Sequence, residues 1–208
     1  MLNIYAASRS HEIPEEAGVY AFYYNPFQKR GLGLFRGREV DPTSVANARK
    51  VLIRKQRKLQ HLLQDYSADS EVKLRSPAGN LLAMYSGSMS RKSASPISEK
   101  YYSMSDEAFI NFVDMAEKAA VMFQPLYCGM TVSQGLRARF LQHKNDHDVK
   151  RIGSFGGRLS AYGIHWDDLM FECIPVRTGN DYSASVVELE RQLINLTDPV
   201  LNVKKGTS

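Results

Sequence analysis

The hydrophobic pattern switches period several times along the chain. Residues 13–25 read as a turn followed by a strand: Val19, Tyr20, Phe22, Tyr23 and Tyr24 are β-formers, and Asn25-Pro26 closes the run. Alternation puts Tyr20, Phe22 and Tyr24 on one face of that strand and Tyr23 on the other. Residues 44–66 carry Val51, Leu52, Leu59, Leu62 and Leu63 at helical spacing, with Asp41 or Thr43 placed to cap the helix. Residues 72–85 predict a hairpin turning at Ser76-Pro77-Ala78-Gly79-Asn80, and the Ser-rich stretch 86–105 predicts a loop. Ser105 then caps a helix running to about Phe123, whose apolar face holds Phe109, Phe112, Val113, Ala116 and Ala120. Beyond Pro125 the pattern predicts a strand at Leu126–Met130, a helix from Ser133 to Lys144 and a short helix opening at Gly156-Gly157 that Gly163 stops. A strand over Leu169–Val176 and a last helix over Ser183–Leu196, halted before Pro199, complete the chain. Strands alternating with helices predict an α+β or α/β class.

A chain of 208 residues, 43% hydrophobic and 24% charged, is large enough for one sizeable core, or one core with an insertion. No apolar run approaches the ~20 residues of a membrane span. The first residues lack a basic segment followed by an apolar one, so no secretory signal is expected. Cys128 and Cys173 lack metal-ligand spacing and read as free thiols, which predicts a cytoplasmic protein. The net charge of +5 is modest, but its distribution is not. Arg49, Lys50, Arg54, Lys55, Arg57 and Lys58 crowd into ten residues without an acid. With Arg91, Lys92 and Lys100 they suit a polyanion; the plainer alternative is a solvated helix face.

Winding the last helix at 100° per residue gathers Val186, Val187, Leu189, Leu193, Ile194 and Leu196 on one side, with Glu190 near its centre and Glu188 opposite. A carboxylate facing a core needs a metal or a counter-charge. Arg139 and His143 are four apart and stack beside Leu136 and Phe140, the residues that should face a sheet; Arg137 flanks that stripe on the other side. Asp167 and Asp168 read as a turn leading into a strand rather than as metal ligands.

Three separated fragments then line up: Gly18-Val19-Tyr20; Leu126-Tyr127-Cys128-Gly129 followed by Leu136-x-x-Arg139-Phe140-x-x-His143; and Glu190-x-x-Leu193-Ile194 followed by Pro199-x-Leu201-Asn202. In this order they resemble the GIY-YIG nuclease superfamily, and most of all its type II restriction endonuclease branch. The resemblance covers residues 13–25 and 124–203. The two motif tyrosines stand 107 positions apart, where family members usually keep them close. The chain is therefore expected to be a single domain over 1–208, an α+β fold with a small mixed or antiparallel sheet flanked by helices. Residues 26–123 would be a large, mainly helical insertion that elaborates DNA binding. The surrounding pattern selects Arg139 over Arg137.

The resemblance implies a metal-dependent endonuclease that leaves 5′-phosphate and 3′-hydroxyl ends. Glu190 would hold one Mg²⁺, or Mn²⁺ in its place, and one carboxylate with waters suits an ion that dehydrates reluctantly. Arg139 would clamp the phosphate oxygens, and Tyr20 would act as general base with help from His143. Tyr127 would position phosphate or water, and Asn202 would orient the site from its edge. Double-stranded DNA is the expected substrate and a homodimer on a palindromic site the expected assembly. Three other readings stay open. They are a structure-specific, repair or mobile-element nuclease; an inactive DNA-binding relative; and a basic RNA scaffold, which no RNP-like motif supports.

Overall fold

The computed structural model describes residues 3–34, 41–65, 68–75, 81–89, 100–176 and 182–202. Its centre is a four-stranded antiparallel sheet in the order β1-β6-β2-β5. The strands are β1 (Asn3–Ala6), β2 (Gly18–Tyr24), β5 (Tyr127–Thr131) and β6 (Leu169–Pro175). Between β2 and β5 lie α1 (Lys29–Leu32), α2 (Pro42–Asp65), the antiparallel pair β3 (Ala68–Arg75) and β4 (Leu81–Met89), α3 (Lys100–Ser103) and α4 (Asp106–Lys118). After β5 come α5 (Leu136–Asp148), α6 (Phe155–Ala161) and, beyond β6, α7 (Tyr182–Thr197). This is an α+β fold with a small sheet flanked by helices, as the pattern predicts. The predicted hairpin turn at 76–80 lies outside the described residues.

Local signals explain most element ends. The Ser105 hydroxyl accepts from the Ala108 amide at 3.2 Å and starts α4. Asp41 caps α2, its Oδ1 accepting from the Ser44 amide at 2.9 Å. Gly163 sits at φ +64°, where a side chain is strained, and ends the α6 segment. β1 was not expected: four residues acquire strand character only by pairing with β6, Asn3 opposite Cys173 and Ala6 opposite Met170.

The β2 alternation divides the two sheet faces. Tyr20, Phe22 and Tyr24 pack with Phe140, Phe155, Leu159, Trp166 and Phe171 under α5 and α6. Each such fully buried large side chain contributes about 1.5–3 kcal/mol. Val19, Ala21 and Tyr23 face the other way, toward Leu193 and Thr197 of α7. On α7, Val186 is buried and Leu193 and Ile194 are half-buried. The wider apolar face expected for this helix is corrected: Val187, Leu189 and Leu196 are exposed, Leu196 at 81%. The helix presents to the sheet the stripe that contains Val186, Glu190, Leu193 and Thr197, and it packs chiefly on β5 and β2.

α2 joins two apolar clusters. Val45, Ala48 and Leu52 in its first half pack with Phe109 and Val113 of α4. Leu59, Leu62 and Leu63 in its second half join the main core. Between them Lys55 Nζ meets Asp168 Oδ1 at 2.7 Å, and the Tyr24 hydroxyl donates to the Lys55 carbonyl at 3.1 Å. Cys128 and Cys173 are buried free thiols, and burial raises the pKa of both, that of Cys173 to about 12.

Candidate functional site

Tyr20 is 2% exposed, and its hydroxyl is the hub of a polar cluster. It meets His143 Nε2 at 2.8 Å and accepts from Arg139 Nε at 3.1 Å. Helix α5 makes this possible because Arg139 and His143 lie one turn apart on the side facing β2. Arg139 Nη1 donates to Gln142 Oε1 at 2.8 Å, and Gln142 Oε1 also accepts from Gln134 Nε2 at 3.1 Å. The guanidinium is thus held by Tyr20 and Gln142, with the Tyr127 hydroxyl also interacting with it. Arg137, the other candidate, donates to Ile13 O at 3.1 Å, to His11 O at 2.6 Å and to Glu15 Oε1 at 2.6 Å. It ties α5 to the segment before β2 and is committed there.

Tyr127 lies half-buried beside Tyr20, ring centroids 6.2 Å apart, and stacks on Phe155 at 4.6 Å. Gly129 faces Tyr20 directly in the register. A Cβ built there would stand 2.6 Å from the Tyr20 hydroxyl oxygen and 2.8 Å from Cε1 of Tyr127. The missing side chain is what admits the Tyr20 hydroxyl.

Burial pushes the Tyr20 hydroxyl well above the usual phenol range; Tyr127 adds to the shift and the charge of Arg139 opposes it. Burial, then the charges of Arg139 and Arg158, press His143 down to about 3, so its imidazole is neutral. Its Nδ1 is buried without a hydrogen-bond partner among the described residues.

Glu190 comes from the opposite side of the sheet and is half-buried at the β5 edge. Burial raises its pKa, while the Met130 amide and the charge of Arg139 favour the ionised form. Among the described residues it forms no ion pair, whereas Glu188 is exposed and paired with Arg191 at 2.7 Å. Asn202 docks on the same edge. Its Oδ1 accepts from the Cys128 amide at 2.8 Å, and its Nδ2 donates to the Cys128 carbonyl at 2.7 Å. Arg158 fixes this segment by donating to Leu201 O at 2.7 Å. The residues Tyr20, Tyr127, Arg139 and His143 therefore share one cluster, with Glu190 within the field of Arg139 and Asn202 pinning β5.

A single carboxylate that burial has partly desolvated, close to Arg139 but in no ion pair among the described residues, fits a hydrated divalent ion held by one protein ligand. No described cluster of three or more His, Cys, Asp or Glu side chains could hold an ion by itself.

The basic run on α2 divides. Arg49 is 9% exposed, with Nη1 at 3.0 Å from Asp106, Nη2 donating to Met104 O, and its charge over the Phe109 ring. Lys55 is 7% exposed and paired with Asp168. Both are corrected from expected DNA contacts to packing residues, because each points into a helix interface. Lys50, Arg54 and Arg57 are exposed and Lys58 is half-exposed. Arg91 and Lys92 lie outside the described residues, while Lys100 is exposed on α3. Sequence reasoning missed Gln142 and Arg158. Gln142 stands one helical turn after Arg139, which was a usable signal; Arg158 acts through a carbonyl 43 positions away, for which no local signal exists. Comparisons with protein-family models, curated proteins and solved structures find no match to this chain.

Proposed function

We propose that this chain is a Mg²⁺-dependent endodeoxyribonuclease of the GIY-YIG type, acting as a homodimeric, sequence-specific restriction endonuclease on double-stranded DNA. The observation that carries the reading is the Tyr20 hydroxyl held between His143 Nε2 and Arg139 Nε, by residues more than a hundred positions away in the chain. Packing alone needs no buried phenol with two nitrogen partners, one of them a cation.

Glu190 would hold the Mg²⁺, which when bound supplies polarisation of the phosphate and stabilisation of the departing 3′ oxygen. Arg139 donates to the non-bridging oxygens, where charge builds as water attacks phosphorus. Gln142 keeps that guanidinium facing outward. Tyr20 passes a proton rather than storing a negative charge. As the attacking water gives a proton to the phenol oxygen, the phenol gives its own to His143 Nε2. A buried tyrosinate is thereby avoided, which matters because burial disfavours that anion. The imidazolium so formed, disfavoured at rest, is compensated by the incoming phosphate charge. Tyr127 lines the approach for water or phosphate, and Asn202 keeps β5 in place.

The test is a plasmid digest with Mg²⁺. Discrete fragments with 5′-phosphate ends are expected, and a smear with nicks would overturn sequence specificity in favour of a structure-directed nuclease. Glu190→Ala is expected to lower cleavage at least a thousandfold while duplex binding, measured in Ca²⁺, persists. Wild-type cutting by that variant would overturn the metal assignment.

A further inference from the structure

The exposed part of the α2 basic run has more order than a solvated face requires. Lys50, Arg54, Arg57, Lys58 and His61 follow i, i+4, i+7, i+8 and i+11, a stripe about 100° wide. Four of them, Arg54, Arg57, Lys58 and His61, form one wall of an open groove of about 440 Å³; Ala161 and Tyr162 form the other. No acid lines it. Lys58 Nζ donates to the Gly163 carbonyl and thereby fixes the two walls together. Among the described residues Arg54, Arg57 and His61 make no ion pair, although the chain has 22 acids to offer.

We infer that this groove is a phosphate-binding site for the backbone of the duplex, separate from the cleft that cuts it. The inference rests on the nuclease reading and extends it. Helix α6 connects the two places. Phe155, stacked on Tyr127, begins it, and Ala161, in the groove wall, ends it. Six residues of helix rise about 9 Å, which is about three base-pair steps of 3.4 Å along a duplex. The groove is open and cationic rather than closed and apolar, a shape suited to a sugar-phosphate chain and poorly suited to a small metabolite. His61 and Lys58 complete a set of nitrogen donors that can share successive phosphate oxygens.

The experiment measures affinity for a short duplex in Ca²⁺ across a salt series, comparing wild type with Arg54→Gln/Arg57→Gln. Loss of two phosphate contacts is expected to reduce the slope of log K against log salt by about 2, at about 0.9 per contact. Affinity should fall at least tenfold at low salt, equally on cognate and unrelated duplexes. Lys118→Ala/Lys144→Ala removes the same charge from residues paired with Asp114 and Asp148. It should leave the slope unchanged, and an equal loss there would show that only net charge is read, overturning the groove. An unchanged slope in the arginine variant, with its melting temperature at the wild-type value, overturns it directly. Preferential binding of single-stranded RNA would overturn the choice of duplex DNA. The two readings fail separately. A wild type that cuts DNA while the arginine variant binds normally removes the groove alone. A wild type that binds through the groove yet never cuts removes the nuclease alone.

Discussion

A neutral imidazole beside a phenol has consequences for acid stability. His143 titrates near 6.5 in an unfolded chain and at about 3 in the native protein. Between those values the unfolded chain binds a proton that the native state refuses, so this residue's stabilisation is complete above about pH 6.5 and is lost as pH falls toward 3. His143→Phe suits the surrounding rings of Phe22, Tyr127 and Phe155. Its melting temperature is expected to fall less steeply than the wild type's from pH 6.5 to 4, and matching slopes would show that His143 is not the titrating group. The residue types at this site were legible in the chain: a cation and an imidazole one turn apart, and an acid amid apolar positions. That the imidazole meets Tyr20 was expected only through the family resemblance and from no local pattern, since the contact spans 123 positions and depends on the absent side chain at Gly129.

Helix α2 is the element whose ends and apolar spacing the pattern locates well and whose charges it misplaces. Wound at 100° per residue, Arg49 and Lys55 fall about 60° either side of Leu52, toward the apolar face, whereas Lys50 and Arg54 fall about 160° from it; the phase separates them but does not show what they pair with. Their partners Asp106 and Asp168 arrive from α4 and from the turn before β6. The Lys55–Asp168 pair is buried, so removing one member strands a charge. Asp168→Ala is expected to lower unfolding free energy by about 3–5 kcal/mol, whereas the double replacement Lys55→Met/Asp168→Leu should cost far less. Urea denaturation of both variants checks the pair, and equal losses would mean that the interaction is solvent-screened. β1 was invisible because its identity is conferred by β6, more than 160 residues later.

At the scale of the whole molecule, β5 is the outer strand of the sheet, and its outward backbone groups at Leu126 and Cys128 are nevertheless satisfied. The Leu201 amide donates to Leu126 O at 2.8 Å, and Asn202 takes both the amide and the carbonyl of Cys128. Asn202→Ala leaves those two Cys128 groups unpaired and is expected to destabilise the fold by about 1–3 kcal/mol. Thermal unfolding reads the loss, with light scattering as a second measure because an unpaired edge invites self-association. Asn202 is in effect a one-residue imitation of a neighbouring strand, a plug of the chain's own making at the rim beside Glu190. Two copies of this protein cannot join by zipping their sheets along that rim, so any pairing across it must be made by side chains and stay reversible, leaving the acid beneath it open to solvent and ions.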